Sequence, residues 1–317
     1  MSSVNQMSRE IVIGSRGSKL ALWQSGWVKA RLEEMGARVR IEVFKTSGDV
    51  MRDVPLATIG GQGAFTKELE VALLDGRVDV AVHSLKDLPT VNPDGLSITA
   101  TPEREDARDA LVLRAEADAG GASIESLPAG AVVGTSSLRR IAQLKHLRPD
   151  ARVKDLRGNV DTRLRKLDEG EYDAVILASA GLRRLGLGRR ISAPIETDVM
   201  LPAVSQGALG VQTRADDPET NAFVSRLDDP STRAAVLAER ALLRNLGGGC
   251  QVPIAAHARV GGGRLRLDGL VASLDGSRVI RDSTEADARE PASAGDDLAA
   301  RLLERGAGEL LSEMPSD

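Results

Sequence analysis

Aromatic side chains are scarce in this sequence. Phe, Trp and Tyr together make up 2% of its 317 residues, although apolar residues of all kinds make up 42%. The hydrophobic cores must therefore be built from aliphatic side chains. Proteins that bind single-stranded nucleic acid usually stack its bases on aromatic rings, so this shortage argues against a nucleic-acid partner.

Cysteine and histidine are also rare. Cys250 is the only cysteine, which excludes an internal disulfide. The histidines His83, His146 and His257 are too scattered to form a zinc site with it. We therefore expect no metal, although a site built from oxygen ligands stays open.

A large net charge and long apolar runs are missing too. The 42 basic and 46 acidic residues leave a net charge of -4, which recruits neither polyanions nor an anionic membrane. No stretch approaches the roughly 20 apolar residues of a membrane span, and the N-terminus lacks the apolar core of a signal peptide. We expect a soluble, cytoplasmic protein of two or three domains, with no membrane partner.

Strands and helices alternate in the first third of the chain. Ile11–Ile13 predicts a buried strand, Ser18 can cap a helix that begins near Lys19, and Val78–Val82 predicts a strand that leads into residues 83–87. This alternation predicts an α/β fold with a mostly parallel sheet, whose ligands gather beyond the carboxyl ends of the strands. Apolar residues of the first helix recur at near-helical spacing, and we expect both tryptophans to pack in the core: Leu20, Trp23, Trp27 and Leu32.

The same plan recurs near the middle of the chain. Ala131–Gly134 predicts a strand that enters Thr135–Ser137 and then a helix, and the segment 168–173 echoes the segment 74–79. Two similar α/β lobes that face a shared cleft would follow, with chance similarity of short stretches as the alternative. The segment 201–211 combines a strand pattern with glycines. We expect the chain to cross back from one lobe to the other there and to form a hinge.

The last third of the chain has a different pattern. Thr232–Leu246 predicts a helix that stops at three glycines. From Ile254 to Thr284, strands alternate with glycine turns, which predicts an antiparallel sheet. Leucines of a last helix, about Asp296–Leu311, would cover that sheet: Leu298, Leu302, Leu303 and Leu310. We expect a first lobe of residues 9–108 and 207–228, a second lobe of 109–206, and a smaller α+β domain of 229–317.

Arginines cluster where helices begin or strands finish. A guanidinium group binds a carboxylate through two parallel hydrogen bonds, and a helix N-terminus reinforces that attraction. The pattern favours a ligand with several carboxylates, while for any one arginine a solvated surface position is the alternative. The arginines are Arg16, Arg139, Arg140, Arg157, Arg163, Arg183 and Arg184.

Two further residues could carry chemistry. Asp87 follows a predicted strand, where an active-site carboxylate is expected in an open α/β sheet, although such an aspartate is often a cap or turn residue. Cys250 follows three glycines, which give its backbone unusual freedom, although a lone cysteine is ordinarily buried and inert. We give His83 a structural role. No histidine stands ready as a base for Cys250, which counts against a cysteine-dependent acyl transferase or hydrolase.

Together these motifs resemble the porphobilinogen deaminase family across nearly the whole chain. Seven matches in one order are far more specific than any single match. They are Ile13–Arg16 with Leu20–Gln24, Phe65–Glu70, Ala81–Pro89, Glu103–Asp106, Gly134–Arg140, Leu156–Val160 and Gly248–Ile254. A non-catalytic, two-lobed binding module for a small polycarboxylate is the alternative, but it leaves the third domain and the loop of Cys250 without a purpose.

The resemblance implies two α/β lobes like those of periplasmic binding proteins, followed by the α+β domain. It also implies a dipyrromethane cofactor, joined by a thioether to Cys250 and made from substrate. Four porphobilinogen molecules are added to it in turn with loss of ammonia, and hydrolysis then releases hydroxymethylbilane. A monomer without an obligate protein partner is expected.

The resemblance further implies roles for particular residues. Asp87 is the catalytic carboxylate that stabilises the azafulvenium cation left by ammonia loss. The cofactor-binding residues are Cys250, Ser84, Lys86, Asp87, Thr135, Ser136, Ser137, Arg139, Arg140, Arg157 and Gly158. The substrate-binding residues are Arg16, Ser18, Phe65, Arg157, Arg163, Arg184 and Gln206. One departure concerns the glycine loop, where Gln62 and the neighbourhood of Thr58 lack lysines that many relatives have.

Overall fold

The computed structural model describes residues 9–45, 66–114, 121–248 and 252–313. The chain folds into two compact units, one of residues 1–104 with 208–233 and one of residues 105–207 with 234–317. Each unit contains a five-stranded sheet, and the second unit also contains a three-stranded sheet. Within the described ranges, no helix combines the length and apolar character needed to cross a bilayer.

The strands of these ranges are β1 (Glu10–Arg16), β2 (Arg38–Phe44), β3 (Val80–Ser84), β4 (Leu96–Ala100), β5 (Asp109–Leu113), β6 (Val132–Gly134), β7 (Arg152–Lys154), β8 (Ala174–Ala178), β9 (Ala193–Ile195), β10 (Leu209–Arg214), β11 (Ile254–Gly261), β12 (Arg264–Ala272) and β13 (Val279–Asp287). The α-helices are α1 (Lys19–Glu34), α2 (Lys67–Leu74), α3 (Leu138–Leu147), α4 (Val160–Asp168), α5 (Ser179–Arg184), α6 (Pro218–Val224), α7 (Pro230–Asn245), α8 (Pro291–Glu304) and α9 (Ala307–Ser312).

The first unit is built on a sheet with the order β2-β1-β3-β10-β4. β1 pairs in parallel with β2 and β3, whereas β10 is antiparallel to β3 and β4. Ile11, Ile13 and Val80 are fully buried, as expected for strands in the middle of such a sheet. α1 begins where the sequence predicts, because the Ser18 hydroxyl accepts a hydrogen bond from the Ala21 N–H at 3.2 Å.

The buried face of α1 differs from the predicted one. Trp23 is 38% exposed and Trp27 is only partly buried, so the expectation that both tryptophans pack in the core is wrong for Trp23. The face that packs on the sheet instead includes Gln24 and Ser25. Each of these polar residues has a hydrogen-bond partner that offsets the loss of water, which the spacing of apolar residues cannot reveal.

The second unit repeats the strand order of the first as β7-β6-β8-β5-β9. β6 pairs in parallel with β7 and β8, and β5 is antiparallel to β8 and β9. This match in order and direction confirms two similar α/β lobes. In each sheet four of the five strands run in one direction, as predicted for a mostly parallel sheet, and the single antiparallel strand is β10 in the first sheet and β5 in the second.

The three-stranded sheet, β11-β12-β13, is antiparallel throughout, which confirms the α+β character of the C-terminal region. The predicted last helix is interrupted. α8 ends before Gly306, whose φ of 94° lies in the left-handed region, and α9 begins after it. Leu298, Leu302 and Leu310 are fully buried as expected, whereas Leu303 is 42% exposed and does not belong to the buried face.

Candidate active site

Asp87 lies just beyond β3, at the carboxyl edge of the first sheet. Leu85–Asp87 forms a short 3-10 turn. Leu85 is fully buried, and its N–H donates to the carbonyl oxygen of Ala208 at 3.0 Å. The Asp87 side chain is exposed. A fixed turn therefore presents an exposed carboxylate at the sheet edge where ligands gather.

Arg16, Ser18 and Ser84 belong to the same edge. Arg16 ends β1 and Ser84 ends β3, and these strands are parallel, so both end on the same side of the sheet. The Ser84 hydroxyl accepts a hydrogen bond from Nε2 of the buried Gln24 at 2.8 Å. The structure thus brings together cationic, hydroxyl and carboxylate groups from two strand ends of the first lobe, with the half-buried Lys86 in the turn.

His83 lies in the interior, one residue before that edge. It is 5% exposed, and its Nε2 lies 3.1 Å from Oε1 of Gln212, whose Nε2 in turn donates to Glu70. Burial and, to a smaller extent, the charge of Arg16 outweigh the opposing effect of the Gln212 hydrogen bond and together lower the pKa of His83 to about 4. A neutral, hydrogen-bonded imidazole fits the structural role expected from the sequence.

In the second lobe, the turn after β6 holds the hydroxyl groups of Thr135 and Ser136 in internal hydrogen bonds. Ser136 Oγ donates to the carbonyl oxygen of Leu156 at 2.7 Å and accepts from the N–H of the same residue at 3.2 Å. The Ser137 N–H donates to Thr135 Oγ1 at 3.3 Å. The bonds of Ser136 therefore connect this turn, which precedes α3, to the loop that carries Arg157.

Arg139 and Arg140, at the start of α3, are 4% and 6% exposed. Arg139 Nη1 donates to Asp109 Oδ2 at 2.7 Å and to the carbonyl oxygen of Leu201 at 2.8 Å. Arg140 places Nε and Nη2 on Asp109 Oδ1 at 3.1 and 2.7 Å, and its Nη1 donates to the carbonyl oxygen of Ile176. Neither arginine is the solvated surface residue that was the alternative interpretation.

Asp109, on which both arginines converge, was missed in the sequence. It begins β5, is fully buried, and also accepts a hydrogen bond from Gln206 Nε2 at 2.9 Å. Burial alone would raise the pKa of its carboxyl, but the charges of Arg139 and Arg140 outweigh that effect and lower the pKa, so Asp109 is a carboxylate. An aspartate at the head of the apolar segment DALVL was the available signal.

Gln206, predicted to contact substrate, is fully buried, and its Nε2 also donates to the carbonyl oxygen of Ala107 at 2.8 Å. The structure thus places it beside Asp109. Arg184 is 7% exposed and donates to the carbonyl oxygen of Gly207 at 2.6 Å, whereas Arg183 is half-exposed and lies 3.4 Å from Asp106. Burial lowers the pKa of Arg184 to about 10, against the charge of Glu105, and leaves it cationic at neutral pH.

Arg157 and Arg163 flank Gly158 at the start of α4, and both are half-buried. Arg157 Nε donates to Asp155 at 2.8 Å, and Arg163 Nε donates to the carbonyl oxygen of Gly158 at 2.7 Å. Gly158 has a φ of 109°, and a Cβ there would lie 2.9 Å from the Thr162 side chain. Only glycine gives the loop between these two arginines this conformation without strain.

Four residues singled out in the sequence lie outside the described ranges: Cys250, Phe65, Gln62 and Thr58. Within the described ranges, no cluster of three or more His, Cys, Asp or Glu residues could hold a metal ion.

Comparison with known proteins decides the family. Residues 11–222 match the family described as "Porphobilinogen deaminase, dipyromethane cofactor binding domain", and residues 233–304 match its C-terminal domain. The chain belongs to the porphobilinogen deaminase family. It is 50% identical to the porphobilinogen deaminase of Pelobacter propionicus over 96% of this chain and 97% of that protein, and 53% identical to that of Desulforudis audaxviator over 97% and 99%.

Membership in the porphobilinogen deaminase family confirms the predicted reaction and cofactor. The enzyme is a transferase that condenses porphobilinogen, with loss of ammonia, on a dipyrromethane and releases hydroxymethylbilane. The family rather than the non-catalytic binding module therefore accounts for the two lobes. A solved nutrient-binding protein from Burkholderia cenocepacia, bound to methionine, is a weaker match, with a TM-score of 0.42 and 14% identity over 70% of this chain and 93% of that chain.

The second lobe of this porphobilinogen deaminase family member has donors that suit a dipyrromethane, whose pyrroles carry carboxylate side chains. Arg139 Nε is buried and, among the described residues, has no hydrogen-bond acceptor. A buried donor of this kind normally has a partner, and for a guanidinium group a carboxylate is the best one. The residues of the second lobe therefore fit the cofactor that the family binds.

Proposed function

We propose that Asp87 is the catalytic carboxylate of the condensation and that Cys250 holds the dipyrromethane through a thioether bond. The observation that carries the assignment of Asp87 is its exposed carboxylate on an anchored turn at the carboxyl edge of the first sheet. No hydrogen bond or ion pair within the described residues occupies that carboxylate. It is therefore available to a substrate.

A carboxylate in this position can act on the charge that develops in the reaction. When porphobilinogen loses ammonia, the C–N bond breaks with its electron pair on nitrogen, and an azafulvenium cation remains. Asp87 stabilises that cation and accepts hydrogen bonds from pyrrole N–H groups. An ionised Asp87 cannot donate a proton to the leaving amine at the same moment, so its main role is electrostatic.

The dipyrromethane, when bound, supplies the free α-carbon to which each new pyrrole is joined. Cys250 is the only thiol of the chain, which makes it the only residue that could form the thioether. The proposed cofactor contacts on the protein side are Ser84, Lys86, Asp87, Thr135, Ser136, Ser137, Arg139, Arg140, Arg157 and Gly158. Internal bonds at Thr135 and Ser136 support a role in shaping the turn that presents Arg139 and Arg140.

The growing product accumulates carboxylates, because every pyrrole carries an acetate and a propionate. Buried or half-buried guanidinium groups bind carboxylates strongly, since little water competes for them. The proposed substrate contacts are Arg16, Ser18, Phe65, Arg157, Arg163, Arg184 and Gln206. Burial of Arg184 supports its choice over the half-exposed Arg183.

We also propose the division into lobes of residues 9–108 with 207–228 and of 109–206, and a third domain of 229–317. The two matching sheets and the separate antiparallel sheet support it. A cytoplasmic monomer remains the expectation from the sequence.

The deciding experiment is the intact mass of the enzyme purified from cells that make porphobilinogen. We expect the protein to be heavier than its sequence by two linked pyrroles, and Cys250→Ser to lack that increment. The matched control is Ser273→Ala, which alters a hydroxyl in the turn after β12 and is expected to keep the increment. A parent protein with the bare sequence mass would contradict the attachment to Cys250.

A further inference from the structure

The charges around Asp109 do not balance. Two buried guanidinium groups, of Arg139 and Arg140, face the single buried carboxylate of Asp109. Gln206, the other side chain on that carboxylate, is neutral. An uncompensated charge in the interior is unfavourable unless a further partner arrives. The cluster therefore carries one excess positive charge, which suits an anionic ligand group.

The two arginines use their donors differently. Arg140 places the Nε and Nη2 edge on Asp109 and Nη1 on the carbonyl oxygen of Ile176, so its donor edges are engaged. Arg139 uses Nη1 for both Asp109 and Leu201, and its Nε is the buried donor without an acceptor among the described residues. The edge formed by Nε and Nη2 is the one that binds a carboxylate through two parallel hydrogen bonds.

We infer that Asp109 is a positioning residue: it holds Arg139 so that the Nε edge of that guanidinium stays directed to a carboxylate of the dipyrromethane, while Arg140 and Gln206 hold Asp109. The inference rests on the proposed role of Arg139 in cofactor binding. Asp109 suits this task because its backbone is fixed in β5, with Ala178 of β8 on one side and Ile195 of β9 on the other.

The carboxylate also keeps the two guanidinium groups together. Arg139 and Arg140 share one carboxylate, and their like charges repel strongly in a medium from which water is excluded. Without the charge of Asp109, Arg139 and Arg140 would separate or turn toward water, and Arg139 would lose the contact that fixes Nη1. A ligand carboxylate would then have to order the side chain as it binds, which weakens binding.

The test is Asp109→Asn, which keeps the shape of the side chain and removes its charge. We expect intact-mass measurement to show that at least half of the purified molecules lack the two-pyrrole increment. In the molecules that carry it, KM for porphobilinogen should rise about tenfold, with a smaller change in kcat, because ordering and not chemistry is impaired. Circular dichroism should show the parental secondary structure.

The matched control is Asp268→Asn, in the third sheet. Asp268 is 7% exposed and also binds two arginines, Arg259 at 2.9 Å and Arg266 at 3.3 Å, so it tests a paired carboxylate that is not next to Arg139. We expect it to keep full cofactor occupancy and the parental KM. Loss of occupancy in Asp268→Asn equal to that in Asp109→Asn would overturn the inference, since the effect would then be one of general stability.

A second variant covers the case in which Asp109→Asn does not fold. Asp109→Glu keeps the charge but moves it by one methylene group, and we expect occupancy between those of the parent and zero. Full occupancy with the parental KM in Asp109→Asn, or in Asp109→Glu if the asparagine variant does not fold, overturns the inference. If instead the parent itself lacks the two-pyrrole increment, the proposed cofactor attachment fails, and the two failures are thereby distinguished.

Discussion

The two lobes share one strand order and use their carboxylates in opposite ways. In the first lobe, Asp87 is exposed beyond β3. In the second, Asp109 is fully buried at the start of β5, where two guanidinium groups lower the pKa of its carboxyl. An exposed acid can meet a cation that forms during the reaction, whereas a buried acid can only organise the cations of the protein. With the roles that we propose for Asp87 and Asp109, one strand order would serve the chemistry in the first lobe and ligand binding in the second.

The variant with the largest expected effect on this comparison is Asp87→Asn. The change removes the charge that we propose stabilises the developing cation, and we expect kcat to fall about 100- to 1,000-fold, as for the loss of one electrostatic stabiliser elsewhere. Cofactor occupancy by intact mass should be preserved much better than the rate, because Asp87 is only one of the proposed cofactor contacts. The measurement is the rate of hydroxymethylbilane formation at saturating porphobilinogen.

The matched control for that variant is Asp94→Asn, which changes another exposed aspartate of the first lobe. It should retain the parental rate. An Asp87→Asn enzyme as fast as the parent would remove this residue from the mechanism and leave the two lobes without the proposed difference.

A second test compares the two interiors through their response to acid. The pKa of His83 is lowered to about 4, so between pH 6.5 and 4 the unfolded chain binds a proton that the folded chain does not. The free energy of unfolding should therefore fall as the pH falls through this window, by about 3 kcal/mol from His83 alone. Asp109 should add little there, because its lowered pKa keeps it ionised in the folded chain and the unfolded carboxyl begins to bind a proton only near the lower end of this window.

Urea denaturation of His83→Gln against the parent measures this contribution. The variant should lose part of its stability at pH 7 through altered packing, but its free energy of unfolding should vary less between pH 6.5 and 4. Parallel curves for the two proteins would show that His83 does not titrate as its burial requires.

The smallest expected effect concerns the N-termini of α1 and α3, the helices that follow β1 and β6 in the two lobes. Ser18 caps α1 with its hydroxyl, whereas Ser137 at the start of α3 makes no capping hydrogen bond with its side chain to a described residue. Ser18→Ala should lower the free energy of unfolding by about 1 kcal/mol. Ser137→Ala is the control and should change it by less than about 0.5 kcal/mol. Equal losses in the two variants would contradict the difference between the lobes.

Local patterns predicted much of the fold. The cap at Ser18, the strand that includes Ile11–Ile13 and the glycine turns of the third sheet depend on neighbours in sequence, and the structure has all of them. Longer-range packing was less accessible. Trp23 matched a helical apolar pattern and is partly exposed, because hydrogen bonds allow Gln24 to be buried in its place.

The candidate site was likewise predictable only in part from the sequence. Motifs along the chain predicted the family chemistry and singled out Asp87, Arg139 and Cys250 as candidates for it. They did not reveal that Arg139 and Arg140 share one buried partner, or that Gln206 lies beside them. Asp109 reaches Arg139 across 30 residues of sequence and Gln206 across 97, and nothing local marks such pairs.

The sequence by itself determined which elements form, which family the chain resembles and which residue types bind carboxylates, because these depend on propensity, spacing and side-chain chemistry. Only the tertiary structure decided which carboxylate faces solvent and which is buried between cations. The strand order is the physical reason, because it brings β5 beside β8 and so places Asp109 next to Arg139 and Arg140. Because Asp109 and the two arginines are buried, water neither screens their charges nor replaces their hydrogen bonds. The three side chains therefore keep one arrangement.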